Sequence, residues 1–315
     1  MISRRLVRIK AMQTYYAFLQ DGSETSISNI WNELERSINK SYELYINLHC
    51  LFISIFDYAE ERIEISRKKL IPTYEDLNPN TKFIDNRIIN SFRNEPTIKR
   101  YISNNDYNWS DHPEFIKRMW IVITNSDYYK EFMDSKTNSF QEDSKMINKI
   151  ISKVFTDNIE LDEILEEKSI YWNDDMEFLL SNILQSLKKY NEQNISNYRL
   201  LPIFKNEEDE QFAKTLIKKV TLNKVKFDKI ILDTLQKWEL ERIAFMDRVI
   251  LHLALCEFTE MPTVPIKVTI NEYLDIAKCY STEKSNVFIN GILDKIYIKL
   301  KSENNLNKKG LGLVE

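Results

Sequence analysis

Glycine is almost missing from this chain, with four in 315 residues, and that scarcity removes whole classes of function. A phosphate-cradling loop, whether of the P-loop or the dinucleotide type, needs several glycines within a few residues. Gly22, Gly291, Gly310 and Gly312 form no such cluster. Histidine is equally scarce: His49, His112 and His252 have no second ligand at metal-binding spacing, and there is no Cys-x-x-Cys pair. The three cysteines, Cys50, Cys256 and Cys279, are odd in number and far apart. That pattern fits reduced thiols in a cytoplasmic protein better than a disulfide framework. Cys256 and Cys279 sit in apolar helical patterns and are expected to be buried. Long uncharged apolar runs are also lacking. The most apolar stretch, 243–258, carries Asp247, Arg248, His252 and Glu257, which argues against a membrane span. The basic N-terminus is not followed by the apolar core of a signal peptide. No nucleophile has a neighbouring base, and acid pairs such as Asp174-Asp175 lie in charged runs that read as solvated faces. The expectation is a non-enzymatic protein with no cofactor and no metal.

What is present is helical pattern. Few glycines, seven prolines and 43% apolar residues predict an all-α protein with a substantial core. Residues 3–20 read as one helix whose buried stripe is Ile2, Leu6, Ile9, Gln13 and Tyr16. At about 100° per residue, Arg4, Arg5 and Arg8 fall on one arc beside that stripe. A long helix is expected from about 41 to 67, shorter pieces near 81–93 and 97–103, and one from Asp111-His112-Pro113 to about 132. Further helices are expected near 143–156, 159–168 and 174–189, then a linker at 190–207, then helices again from 208 to 302. The organisation expected is residues 1–40 and 206–302 as one helical core, 41–205 as a helical insertion, and 303–315 as a flexible tail.

Charge is unevenly spread. The net charge is −4, yet residues 142–177 hold eleven acids and four lysines, whereas the first twenty residues hold Arg4, Arg5, Arg8 and Lys10 and no acid. Local charge decides where a polyanion docks. A shift of 66 residues lays 142–190 on 208–256 with nine identities, among them Asp162 on Asp228 and Trp172 on Trp238. A partial internal repeat and simple helical periodicity both account for this.

The most specific stretch is Pro265–Lys295, read as two amphipathic helices joined by a polar turn, with Pro265 in the first turn of one and Ser285 as N-cap of the other. Gly291 lies inside the second helix at a cost of roughly 1 kcal/mol, which predicts a close approach to its backbone. Pro265, Lys267-Val268, Ile270-Asn271-Glu272, Ala277-Lys278, Ser285 and Phe288–Asp294 together resemble the C-terminal signature of the NusB family of transcription antitermination factors. The opening helix resembles that family's arginine-rich start through Arg4, Arg5, Arg8, Ala11, Gln13 and Tyr16, and departs from it at Ile9 and Tyr15. Residues 212–238 and 241–258 resemble two further helices of the family.

The resemblance implies a NusB-like helical bundle, enlarged here by an insertion, that binds single-stranded RNA together with the ribosomal protein NusE. It implies antitermination on boxA-like ribosomal RNA leaders within the transcription elongation complex, with no membrane and a cytoplasmic location. Alternatives are an RNA-binding module in ribosomal RNA maturation, or a helical protein-interaction adaptor. Arg4, Arg5, Arg8 and Lys10 would meet phosphates and bases; without the family pattern they read first as a solvated face. Tyr16 and Phe288 would stack on bases, although aromatics at helical spacing are more often core. Lys284, where many relatives carry an acid, and Ser285 complete the expected RNA surface. Glu257 is expected to contact NusE. Asp247-Arg248 is expected as a buried ion pair or cap, and Asn271 and Asn290 as backbone partners at the helix contact beside Gly291.

Overall fold

Apolar residues at helical spacing with few breakers between them yield fifteen α-helices and no strand among the described residues. The computed structural model describes residues 1–21, 26–104, 109–235, 242–306 and 308. The helices are α1 (Arg4–Asp21), α2 (Ile27–Arg67), α3 (Tyr74–Leu77), α4 (Arg87–Asn94), α5 (Pro96–Ser103), α6 (Pro113–Asn125), α7 (Asp127–Asp134) and α8 (Phe140–Ile150). They continue with α9 (Ile159–Lys168), α10 (Met176–Leu187), α11 (Glu207–Leu222), α12 (Lys224–Leu235), α13 (Phe245–Glu260), α14 (Ile266–Tyr280) and α15 (Ser285–Ser302). Two compact units result. One contains 1–38 and 203–315, the other 39–202.

In the first unit α13 is the axis, packed against α1, α11, α12, α14 and α15. Its residues from Val249 through Phe258 are all buried, as expected of a helix that is apolar all round. α1 buries Leu6, Val7, Ala11, Met12 and Tyr15, and Arg8 and Lys10 with them. The buried stripe therefore follows Val7, Ala11 and Tyr15, whereas Ile9, Gln13 and Tyr16 are half-buried. Aliphatic and aromatic groups at i, i+4 and i+8 give a broader apolar face than a stripe through Gln13, so the helix turns that face inward.

The second unit is built around aromatic packing. His49 donates from Nδ1 to the Tyr45 carbonyl and accepts from the Tyr198 hydroxyl. Phe92 packs its edge on His49, and Phe52 packs on Phe155. Short helices start where polar side chains take up free amides: Asn86 on Ile88 and Ile89, Ser126 on Tyr129, Ser139 on Glu142 and Asn158 on Leu161. Ser126 divides what the sequence presents as one helix into α6 and α7. The helix expected over 143–156 changes hydrogen-bond register, becoming a π-turn at Ile151–Phe155, and Asp157 with φ 56° ends it. The long helix starts at Ile27, well before 41, because Ile30, Leu34 and Ile38 extend its apolar stripe.

Among the described residues, the two segments related by the 66-residue shift each contain three α-helices in the same order. The shared aspartate has different surroundings in the two: Asp228 binds Arg248 and His252, whereas Asp162 is exposed and the shift puts Asn182 and Ser186 in place of those partners. Trp238 lies outside the described residues. In the tail, Lys308 is fixed: its Nζ donates to the carbonyls of Glu257 and Met261 at 2.7 and 2.9 Å, the last turn of α13 and the residue after it. Such a cation suits the negative end of a helix.

Candidate nucleic-acid interface

The three arginines at the start of α1 have separate fates. Arg4 is half-buried; its Nε lies 2.7 Å from Asp209 in the first turn of α11, and its guanidinium stands 5.2 Å from the Phe212 ring centre. Arg5 is exposed and meets one acid, Asp275 of α14, at 3.3 Å. Arg8 is 3% exposed and forms a bidentate pair with Glu257 at 2.7 and 2.9 Å. Thr269 and Tyr273 each donate to Glu257 at 2.9 Å, one to each carboxylate oxygen. Four donors saturate a carboxylate. Burial lowers the pKa of Arg8, but the hydrogen bonds and charge of Glu257 outweigh it, and the net shift is upward. Burial and the Glu257 charge push the Tyr273 hydroxyl well up. This cluster is a closed ionic knot joining α1, α13 and α14.

Several expectations are corrected here. Arg8 and Lys10, at 3% and 1% exposure, are inside and present no surface to RNA. Glu257 is fully buried with all its acceptor positions filled, so its side chain cannot be a contact for a protein partner. Ser285 is also buried. Its hydroxyl accepts from the Thr282 amide at 3.2 Å and lies 2.8 Å from the Thr282 hydroxyl, which shapes the α14–α15 turn. α15 begins at Ser285 itself, with Lys284 before it as cap position.

Asp247 and Arg248 do not pair with each other. Asp247 accepts from Ser281 at 2.6 Å, while Arg248 binds Asp228 twice, at 2.8 and 2.6 Å. Adjacent residues on a helix point about 100° apart, so each reaches a different neighbour. His252 completes that second network: Nε2–H donates to Asp228 at 2.9 Å, and Nδ1 accepts from the Tyr15 hydroxyl at 2.8 Å. Burial alone would raise the Asp228 pKa, yet His252 and Arg248 hold it down at about 2. Burial keeps His252 low, so it is neutral. Sequence reading noted Tyr15, Asp228, Arg248 and His252 separately but missed the network, because it joins three helices, α1, α12 and α13.

The remaining expected positions lie at or near the surface. Lys284 is exposed and Phe288 half-buried; Tyr16 packs edge-on against Phe245 at 5.0 Å. Gly291 is exposed, and a Cβ placed on it would meet nothing within 4 Å. The expected close approach to its backbone is absent within the described chain. Asn271 is exposed and Asn290 half-buried. Cys279, expected inside, is exposed. One pair was not anticipated: Lys278 Nζ lies 2.8 Å from Asp275 Oδ1, while Arg5 holds Oδ2. Lys278 first, and Arg5 after it, keep this carboxyl below its usual range.

Among the described residues no group of three or more His, Cys, Asp or Glu side chains could hold a metal ion. No helix there is long and apolar enough to cross a membrane. Fold and site together define an all-helical protein with exposed cations on α1 and at the α14–α15 turn. The profile of the NusB family matches residues 175–297, covering α10 to α15 and beginning inside the segment read as an insertion. The transcription antitermination protein NusB of Salinibacter ruber is 36% identical over 114 residues, which cover 71% of that relative and 36% of this chain. The Bacillus mycoides protein of the same name is 44% identical over 90 residues, 69% of its length and 29% of this chain. For Chloroherpeton thalassium the figures are 42% over 106 residues, and the chain spans half the length of that relative and 34% of its own. A solved T. maritima NusB is 31% identical, with 45% of this chain and 91% of that one covered and a TM-score of 0.29. The chain belongs to the NusB family, with helices α1 to α9 outside the matched residues.

Proposed function

We propose that this chain is an RNA-binding transcription antitermination factor. It engages single-stranded, boxA-like ribosomal leader RNA together with NusE in the elongation complex, by binding and scaffolding without catalysis. The observation that carries the reading is Arg5, exposed on the arginine-rich helix and held by one exposed carboxylate. Exposed Lys284 and then half-buried Arg4 and Phe288 are the next contacts, and Tyr16 offers one ring edge. The names of the relatives support antitermination, and the exposed cations support a polyanionic ligand. NusE would meet the exposed faces of α14 and α15, since the Glu257 side chain is enclosed. A role in ribosomal RNA maturation would use the same surface.

One observation favours a protein-interaction role for the second unit in addition. Leu70, Ile71, Tyr74 and Leu77 are 101, 85, 81 and 55% exposed at the end of α2 and on α3. Such a group of exposed apolar side chains is unusual on a free surface.

The test is fluorescence anisotropy with a short boxA-like single-stranded RNA across a salt series. Arg4→Gln with Arg5→Gln should weaken binding about tenfold or more at low salt and flatten the salt dependence by roughly the number of lost phosphate contacts. Unchanged affinity and slope in the folded double variant would remove α1 from the RNA surface.

A further inference from the structure

Arg5 does not stand free while it waits for RNA. Its Nη1 lies 3.3 Å from Asp275 Oδ2, with side chains 44 and 41% exposed. A phosphate approaching Arg5 must displace that carboxylate and tolerate its negative charge nearby. The same carboxylate has a second cation: Lys278, one helical turn further along α14, reaches its other oxygen at 2.8 Å. Asp275 is therefore shared between a cation of the RNA helix and a cation of its own helix. The neighbouring arginines differ. Arg4 is bound at 2.7 Å by Asp209, itself 14% exposed, and Arg8 is enclosed by Glu257.

The geometry points to a counter-ion hand-off at Asp275. The carboxylate occupies Arg5 in the free protein and restrains its affinity for RNA. When Arg5 turns to a phosphate, Lys278 retains Asp275 and so limits the cost of releasing the arginine. Asp275 and Lys278 are thus positioning residues that set the strength and salt response of RNA binding, with no contact to the RNA themselves. The inference rests on the RNA-binding reading above and assigns regulation to that same surface. The physical basis is modest and definite. An exposed ion pair of this kind is worth up to about 1 kcal/mol, or about fivefold in affinity, and both it and the repulsion of phosphate are screened by salt.

A double-mutant cycle on the full chain tests it, with anisotropy of a fluorescein-labelled single-stranded RNA of boxA-like sequence as the readout. Asp275→Asn should tighten binding about two- to fivefold near 50 mM salt, with the gain fading above about 0.5 M. Lys278→Gln should weaken binding in the parent and have no effect beside Asp275→Asn, because its action passes through the carboxylate. Equal weakening in both backgrounds would make Lys278 a direct RNA contact and overturn the hand-off. If Arg5→Gln weakens binding but Asp275→Asn leaves it unchanged or weaker, the hand-off fails and the RNA reading stands. If the parent chain does not bind the RNA, or Arg5→Gln has no effect, both fall. Circular dichroism of every variant checks the fold, and the exposure of all three side chains keeps the substitutions mild.

Discussion

Glu257 shows how a single side chain can look functional in sequence and be structural in space. It lies near the end of a helix, where an acid is commonly a surface group, yet it collects two bonds from Arg8 and one each from Thr269 and Tyr273. Removing one partner of a buried pair leaves the other charge without compensation, which costs about 3–5 kcal/mol. Glu257→Gln should therefore lower the stability of the first unit by roughly that amount in a denaturant titration. A residue serving only as a surface contact would change stability by at most about 0.5 kcal/mol. The same logic explains why Arg8 cannot be tested with Arg4 and Arg5 by charge reversal: a glutamate at 8 would face Glu257 inside the core. Of the expected cations, Arg5 and Lys284 are fully at the surface. Alternation of polar and apolar residues identifies a face, but it does not say whether a charge on its border finds a buried partner from another helix.

At the scale of the element, α15 is the helix whose motif carried the resemblance, and Gly291 is its weak point. A glycine in a helix interior is worth about 1 kcal/mol less than alanine, and here the added methyl would meet nothing within 4 Å. Gly291→Ala should thus raise the unfolding free energy by about 0.4–1 kcal/mol, read as a higher thermal midpoint. A lower midpoint would mean that the described helix is strained at that position. The starts of the helices were legible at Asn158 and Pro265, where a capping residue or a proline marks them, but not at Ser139, which starts α8 three residues before the expected 143. They were not legible where a break has a tertiary cause. The start of α2 at Ile27 and the π-turn at Ile151–Phe155 depend on which apolar groups find a core.

Across the whole molecule, two buried histidines couple stability to pH in both units. Burial pulls His49 down to about 4, and it lowers His252 as well, with Asp228 acting in the opposite direction. The unfolded chain then binds protons that the folded chain refuses once the pH falls below about 6.5. The contribution of His49 is present above that value, declines between about 6.5 and 4, and amounts to about 3 kcal/mol when fully lost. Denaturant titrations should find stability level from pH 8 to 7 and falling from 6.5 to 4. The loss should be smaller in His49→Gln, whose amide can still meet the Tyr198 hydroxyl. Asp228, held at about 2, keeps its contribution throughout that window, because a lowered carboxyl loses its effect only as the pH approaches its folded value. A profile that stays level down to pH 4.5 would show that His49 protonates without cost.

The sequence alone determined the helical class, since residues that break helices are rare and apolar spacing is regular over most of the chain. It also determined the family resemblance, because Pro265, Lys278, Ser285 and Phe288–Asp294 are read as a linear string whose order does not depend on folding. Tertiary structure decided which members of that string face solvent. Arg4, Arg5 and Arg8 look alike in one dimension, but Asp209, Asp275 and Glu257 come from three other helices. Burial and charge pairing are set by groups distant in sequence, and their strength depends on separations of a few ångströms and on local exclusion of water. That is why the arginines could be found by reading the chain, whereas the exposure of Arg5 and its pairing with Asp275 of α14 emerged only in the folded protein.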